Sequence, residues 1–341
     1  MKTINIGIVG LGFMAATHLR AYREVEGARI AALCNPSGRN LDGDFSNVTG
    51  NVGSNEPFKL DMTNVRATKL SDNLLSDPSI DLIDICTPTA WHRDLAIAAL
   101  RAGKHVLCEK PLARSSKVAR KIANAAKKAK GVFMPAMCVR FWPEWAWLKR
   151  AIEQKTYGKV LAARFRRVAE PPGWGLKNFF NGDESGGALF DLHVHDTDFV
   201  QYCFGKPQSV YSTGYTKFSG AIDHVVTLYH FKSGALVYAE GSWAMAHGFG
   251  FNMAYTVNFE NATADYDIAR GKEALRLSAN KEQKVITCDE PDGYVQELQH
   301  LIEAIRAGKK PTVVTVEDAV RSIEICEAEE QSVKARKPVQ L

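Results

Sequence analysis

The chain has 341 residues, of which 45% are hydrophobic and 24% are charged, and its formal net charge is +5. These values are typical of a soluble globular protein that is long enough for two domains. They argue against nucleic-acid or membrane-surface binding, because no block of basic residues stands out. Seven cysteines without metal-type spacing indicate buried thiols in a reducing compartment, and we expect the protein in the cytoplasm. We expect neither a signal peptide nor a membrane span, since glycines, His18 and Arg20 interrupt the N-terminal apolar run.

The first part of the chain alternates short apolar strands with amphipathic helices, which predicts a parallel sheet with helices on both faces. The predicted elements are, in chain order, a strand over Thr3–Val9, a helix over Ala15–Glu24, strands over Ala28–Cys34 and Ile80–Cys86, a helix over Trp91–Arg101, a strand over Lys104–Cys108 and a helix over Ser115–Lys130. The segment Asn40–Lys59 exceeds the usual connection of about 4–6 residues. The pattern leaves open whether it is a functional loop or a surface turn.

After about Arg140 the pattern changes to strands without intervening helices, which indicates an antiparallel sheet. The predicted strands are Lys159–Ala169, Ser209–Thr216, His224–Phe231, Ala235–Ser242, Met253–Phe259 and Lys284–Cys288, and two helices, Gly293–Ala307 and Val316–Ala335, end the chain. We therefore predict an α/β protein: a doubly wound Rossmann domain over 1–138, then an α+β domain with an open, mostly antiparallel sheet over 139–341.

A glycine turn, Gly10-Leu11-Gly12-Phe13-Met14, lies between the first predicted strand and the first helix. Gly10 permits the tight turn, and Gly12 lets the backbone approach a pyrophosphate, which the helix N-terminus attracts. This context predicts dinucleotide binding, with Phe13 and Met14 at the end of the turn among the contacting residues. The alternative is a glycine turn used only for packing.

The second strand is followed by Asn35, where many NAD-binding proteins carry an acid that binds the ribose. Asparagine does not repel a 2′-phosphate. Ser37 and Arg39 follow, and an arginine there can pair with phosphate or stack on adenine. The residues of this turn slightly favour NADP as the cofactor and leave NAD open. The alternative is that the turn is solvated and binds no ligand.

A second motif, Glu109-Lys110-Pro111, follows a later strand at its carboxyl end, where open parallel sheets bind ligands. A partly desolvated lysine there can stabilise a developing alkoxide or hold a substrate hydroxyl near the nicotinamide. The alternative is a surface Glu–Lys pair.

A third motif spans Gly186–Asp198. On a helix, Asp191, His195 and Asp198 share one face, and a carboxylate one turn from an imidazole suits acid–base chemistry. On a strand, Asp191, His193 and His195 would align instead, and the two histidines would resemble a metal site. The helical alternative separates the two histidines, so we expect no metal.

With Cys86-Thr87-Pro88 and His92 added to these motifs, the chain resembles the Gfo/Idh/MocA family (glucose–fructose oxidoreductase and inositol 2-dehydrogenase) over nearly its whole length. The resemblance implies that Lys110, Asp191 and His195 form a catalytic trio. It also implies that Thr87, Pro88, His92 and Glu109 line the cofactor, together with Lys110, and that a homodimer or tetramer forms through the C-terminal sheet. The sequence departs from the family at His193, usually glycine, at Asn35, and in the long Asn40–Lys59 segment.

Four further residues are candidates for substrate contact: Arg140, Trp174, Asn178 and His193. We expect hydride transfer between nicotinamide and a carbinol carbon of a sugar or polyol, with NAD or NADP as cofactor. One alternative is a glycosidase or lyase of this fold that uses bound NAD transiently. The other is a non-catalytic dinucleotide-binding sensor or regulator, against which the intact trio argues.

Overall fold

The computed structural model describes residues 3–51, 56–173 and 180–341. The described residues divide into two compact units, the first comprising Met1–Phe141 with Asp292–Val320 and the second Trp142–Pro291 with Arg321–Leu341. The chain thus returns to the first unit late in the sequence, which the sequence pattern did not indicate. The domain boundary between residues 138 and 139 stays a prediction. No helix in the described ranges is both long and apolar enough to cross a membrane.

The first unit contains a six-stranded, all-parallel sheet in the order β3-β2-β1-β4-β5-β6. Its strands are β1 Ile4–Val9, β2 Ala28–Cys34, β3 Arg66–Thr68, β4 Leu82–Ile85, β5 His105–Glu109 and β6 Phe133–Ala136. The predicted doubly wound sheet is confirmed. The strand order reverses between β1 and β4, so ligands of such sheets bind at the carboxyl ends of these two strands.

Four helices belong to this part of the chain: α1 Phe13–Ala21, α2 Asp72–Leu75, α3 His92–Arg101 and α4 Ser116–Lys128. Helix α1 begins and ends earlier than the sequence pattern predicted. Ser115 caps α4 by accepting a hydrogen bond from the Val118 N–H at 3.4 Å.

The second unit contains a nine-stranded sheet in the order β14-β13-β12-β11-β7-β10-β9-β8-β15, in which only the β7–β10 pair is parallel. Its strands are β7 Val160–Ala169, β8 Ser209–Tyr215, β9 His224–His230, β10 Leu236–Ser242, β11 Phe251–Phe259, β12 Thr263–Asp267, β13 Leu275–Ala279, β14 Glu282–Val285 and β15 Val339–Gln340. The predicted mostly antiparallel sheet is confirmed. Its helices are α5 Pro143–Glu153, α6 Gly182–Ser185 and α7 Val194–Phe204.

Aromatic rings from α5, α7 and the sheet form the core of the second unit. Trp145 is fully buried and makes edge contacts with Phe199 at 4.8 Å and Tyr255 at 5.3 Å between ring centroids. Buried beside them, Arg167 donates from Nε to Asp196 Oδ2 at 2.8 Å. Trp145 therefore packs the core, as tryptophans at this helical spacing usually do.

The last two helices are α8 Gly293–Ala307 and α9 Val316–Ala335, as the sequence predicted. Asp292 caps α8 by accepting hydrogen bonds from the first turn, and Gly308 ends it at φ +60°. Thr315 and Asp318 exchange hydrogen bonds of 3.1 and 3.2 Å between side chain and backbone, which is a capping box.

The segment Asn40–Lys59 is anchored on the first unit where it is described. Phe45 and Phe58 are buried against each other, with ring centroids 5.9 Å apart. Asn40 Nδ2 donates to the Leu11 carbonyl oxygen inside the glycine turn at 2.8 Å. The segment is thus packed on the turn rather than being a loop with no contacts.

Candidate active site

The glycine turn joins the end of β1 to the start of α1. Gly10 has φ of +87°, and a Cβ built there would lie 2.7 Å from the carbonyl oxygen of Cys86, so this position requires glycine. Gly12 is exposed, and a Cβ built there would meet nothing within 4 Å. The backbone at Gly12 is therefore open to close approach by a ligand. Phe13 and Met14 begin α1, whose first backbone N–H groups attract anions.

The turn after β2 carries Asn35, Ser37 and Arg39. Asn35 Nδ2 donates to the Arg39 carbonyl oxygen at 2.8 Å, and Asn35 Oδ1 accepts from Ser37 Oγ at 3.1 Å. The asparagine thus shapes the turn. The exposed Arg39 guanidinium, 3.5 Å from Ser37 Oγ, is the charged group that the turn presents.

The turn after β4, with Thr87 and Pro88, contacts the glycine turn. A Cβ on Gly10 would lie 2.9 Å from Thr87 Cγ2. Thr87 Oγ1 is buried and has no hydrogen-bond partner within the described part of the chain. A buried hydroxyl without a partner is costly, so a ligand that bonds to it gains affinity.

His92 lies behind this turn and connects it to the next strand end. It is buried, and its ring nitrogens lie 2.8 Å from the Thr87 carbonyl oxygen and 2.9 Å from the Pro111 carbonyl oxygen. Burial lowers the pKa of His92, although both carbonyls raise it. His92 therefore holds the two turns together, and a direct contact with cofactor stays a prediction.

Glu109 and Lys110 lie at the carboxyl end of β5. Glu109 is 5% exposed, its Oε2 accepts from the Lys110 backbone N–H at 3.0 Å, and its Oε1 lies 3.2 Å from His18 Nε2. Lys110 is half-buried, and its bond to Pro111 is cis. Glu109 is thus engaged with protein groups, and Lys110 follows it at the carboxyl edge of the sheet, where ligands of such sheets bind.

Asp191 and His195 lie in a helical segment of the second unit. Leu189–His193 forms a π-helical turn that continues into α7, so the helical alternative is correct and the strand alternative is wrong. Asp191 and His195 are both half-buried. π-Helical turns are frequent at functional sites.

Asp198, expected on the same face, differs from these two residues. It is 1% exposed, and its Oδ1 accepts from Ser322 Oγ on α9 at 2.9 Å. Asp198 is therefore part of the packing between α7 and α9.

His193 lies in a buried polar network rather than at the surface of the second unit. Its Nε2 lies 3.2 Å from Tyr229 Oη and 3.6 Å from Glu329 Oε2, and all three residues are buried. A Cβ on Gly241 would lie 2.5 Å from the Cβ of His193, so the strand opposite requires glycine. The imidazole, which the family usually lacks here, fills space between a helix and the sheet.

Of the three other substrate candidates, only Arg140 lies within the described residues. Arg140 is 3% exposed, and its Nη1 donates to the Val313 carbonyl oxygen at 2.8 Å and to Asp318 Oδ2 at 3.1 Å. The guanidinium helps to hold the pKa of Asp318 below its usual value against the effect of burial. Trp174 and Asn178 lie outside the described residues.

Comparison with known proteins identifies the family. Residues 4–137 match an oxidoreductase family with an NAD-binding Rossmann fold, and residues 145–265 match the C-terminal domain of the same family, Gfo/Idh/MocA. The chain belongs to the Gfo/Idh/MocA family. The first of these matches contains the glycine turn, the Thr87 turn and Lys110; the second contains Asp191 and His195.

Relatives within the family cover the chain from end to end. It is 25% identical to myo-inositol 2-dehydrogenase of Thermotoga maritima (99% of this chain, 98% of the relative). It is 27% identical to the NAD⁺-dependent scyllo-inositol 2-dehydrogenase of Bacillus subtilis (99% and 96%). A levoglucosan dehydrogenase solved with NADH and L-sorbose superposes with a TM-score of 0.84 at 22% identity (100% and 99%), which supports the fold.

Two residues of the site region were not singled out from the sequence. His18 and Asp84 are fully buried and hydrogen-bonded to each other at 2.9 Å, although 66 positions separate them. A polar residue on the buried side of an amphipathic helix was the available signal for His18. For Asp84, the available signal was a charged residue inside an apolar strand, because a buried charge needs a partner.

Proposed function

We propose that this protein is an NAD(P)-dependent dehydrogenase that acts on a CH–OH group of a sugar or polyol. The observations that carry the proposal are the open backbone at Gly12 and the buried Thr87 hydroxyl, which has no hydrogen-bond partner among the described residues, in the turns after β1 and β4, where the strand order reverses. The open backbone fits an anionic group of a ligand, and the Thr87 hydroxyl fits a hydrogen bond to a sugar hydroxyl of the same ligand. The substrate class rests on the names of the inositol dehydrogenase relatives.

The catalytic roles follow from the chemistry of the three side chains. Bound nicotinamide would supply the hydride acceptor or donor. His195 takes the proton of the substrate hydroxyl during oxidation and returns it during reduction. Lys110 stabilises negative charge on the same oxygen, and Asp191 orients the imidazole or the substrate.

For the cofactor, we propose NAD or NADP, with a slight preference for NADP. The Asn35 turn supports this, because it presents the Arg39 guanidinium and no carboxylate that would repel a 2′-phosphate.

We also propose that the protein forms a homodimer or tetramer through the outer face of the nine-stranded sheet. Large apolar side chains are exposed there: Tyr211 45%, Leu228 42% and Leu236 53%. Leu228 is paired with Tyr211 in β8 and with Tyr238 in β10, so the apolar face is continuous across three strands. Light scattering should give a multimer for the wild type and a smaller species for a Leu228→Arg, Leu236→Arg double variant.

The cytoplasm is the compartment we propose. All seven cysteines lie within the described ranges, where none of them forms a disulfide, which suits a reducing environment.

The function is tested by screening inositols, other polyols and sugars with NAD and NADP, with reduced nicotinamide followed by absorbance. We expect stoichiometric reduction with at least one of these compounds. Lys110→Ala should bind cofactor within a few-fold of the wild type and turn over about 10²–10³ times more slowly, as loss of an oxyanion donor does. Turnover of this variant within threefold of the wild type would exclude the role given to Lys110.

A further inference from the structure

A group of buried ionisable side chains lies beneath Glu109 in the first unit. His18 on α1, Asp84 on β4 and Glu297 on α8 are each 0% exposed, and Glu109 is 5% exposed. Charged groups are almost never buried to this extent unless they are paired. Glu109 belongs to the proposed site, whereas the other three have no role in it so far.

Contacts run from Asp84 through His18 to the backbone of Lys110. His18 Nδ1 lies 2.9 Å from Asp84 Oδ2, which is a hydrogen bond. On the other side of the ring, Nε2 lies 3.2 Å from Glu109 Oε1, an ion-pair contact whose angle is outside hydrogen-bond geometry. The second oxygen of Glu109 accepts from the Lys110 N–H at 3.0 Å.

The remaining neighbours of His18 are neutral or donate to Asp84. Tyr22 Oη donates to Asp84 Oδ2 at 3.1 Å, and Cys86 Sγ donates to Asp84 Oδ1 at 3.4 Å. From α8, the Tyr294 ring lies 6.3 Å from the His18 ring. Burial raises the pKa of Glu297 well above its usual value, which favours its neutral form.

The balance of charge around His18 favours the imidazolium. A neutral imidazole has one N–H and can present it to only one of the two carboxylates, whereas the imidazolium presents an N–H to each. Burial alone lowers the pKa of His18, but Asp84 and Cys86 together raise it well above the usual value. The positive charge thus offsets one of the two negative charges.

We propose that a protonated His18 is a positioning residue, which holds the Glu109 carboxylate in place and thereby fixes the backbone of Lys110. The inference rests on the proposed role of Lys110 in the reaction. In this role His18 touches neither substrate nor cofactor, and it affects the rate through Glu109.

His18, Asp84 and Cys86 also have the spacing of a metal-binding group. In the described structure the His18–Asp84 contact already has hydrogen-bond length, which a shared proton explains without an ion. One stoichiometric metal ion per chain, lost on replacing His18, would overturn the proposal, because the ion would take the place of the proton.

The first test is NMR of the enzyme with ring-labelled histidine. The signal that disappears in His18→Gln, or in His18→Asn if the first variant does not fold, should be that of a doubly protonated ring at about pH 8, above the ordinary value near 6.5. His300, half-buried in the same unit with its pKa lowered by burial, is the internal control and should be neutral there. A neutral His18 ring at that pH would overturn the proposal.

The second test is kinetic. In His18→Gln we expect kcat to fall about 10- to 100-fold through misplacement of the lysine, with cofactor affinity within about threefold of the wild type. Adding Asp84→Asn removes the carboxylate that is left unpaired but does not restore the contact with Glu109, so kcat should stay low, whereas a loss caused only by the unpaired Asp84 charge would be relieved. Recovery of most of the lost kcat in the double variant would contradict the proposal.

Lys110→Ala separates this inference from the proposed function. If Lys110→Ala keeps its turnover, the role of the lysine is wrong, whatever the charge on His18. If Lys110→Ala loses turnover while His18→Gln keeps it, only the positioning role of His18 is wrong.

Discussion

The backbone of Gly10 lies against the side chain of Thr87, so that a Cβ at position 10 would come within 2.9 Å of Thr87 Cγ2. This contact joins the turns after β1 and β4, which are adjacent strands of the parallel sheet. The two turns form one surface, and a change in either is expected to alter how the cofactor binds.

Alanine substitutions at the two glycines should have different effects. Gly10→Ala places a Cβ 2.7 Å from a carbonyl oxygen at positive φ, so it should lower the free energy of unfolding by about 1–3 kcal/mol. Gly12→Ala meets no atom within 4 Å and has φ of −95°, so its stability should match the wild type while cofactor affinity falls at least several-fold. Thermal unfolding measures the stability of the two variants, and fluorescence titration with NADH measures their cofactor affinity. Unchanged affinity in Gly12→Ala would show that the cofactor does not approach this backbone.

Arg39→Ala should weaken NADP binding more than NAD binding, because the guanidinium can pair with a 2′-phosphate that NAD lacks. Arg29→Ala is the matched control, since Arg29 is exposed on β2 of the same sheet and donates to Asn5 at 3.0 Å. Dissociation constants of NAD and NADP, measured for the wild type and the two variants, test this prediction. An equal loss for both, or no loss, would leave Arg39 as a solvated or adenine-stacking residue.

Glu297 should make stability depend on pH. Because its folded pKa lies above its unfolded value, the folded state binds more protons, and the free energy of unfolding falls as pH rises from the unfolded pKa through the folded one. Glu297→Gln binds no proton, so it should be more stable than the wild type at neutral pH, with a flatter pH dependence. The exposed Glu303 on the same helix supplies the control Glu303→Gln. Parallel stability curves for Glu297→Gln and wild type would show that the carboxyl does not titrate as described.

The parts of this protein that could be predicted from sequence are those set by local pattern. Alternating apolar strands and helices specify the parallel sheet, and the capping box at Thr315 and Asp318 specifies where α9 begins. The π-helical turn at Leu189–His193 has no such local signal, and neither has the contact of Asp198 with α9. The His18–Asp84 pair forms only when α1 packs on β4.

His195→Asn should change the pH profile as well as the rate. Oxidation needs the neutral imidazole and should fall on the acid side of the profile. Reduction of the carbonyl needs the protonated ring and should fall on the alkaline side. Profiles at saturating substrate are compared for wild type and variant, which keeps a polar group but cannot carry the proton. A variant that retains the rate and the acid limb would show that another group moves the proton.

Hydride transfer itself is tested most directly with the best substrate of the screen, deuterated at its carbinol carbon. The account predicts that one deuterium per turnover appears on the reduced nicotinamide, that reduced cofactor accumulates in a one-to-one ratio with the carbonyl product, and that the rate shows a primary isotope effect when chemistry limits it. Product formation without net reduction of added cofactor, or loss of the deuterium to water, would contradict it.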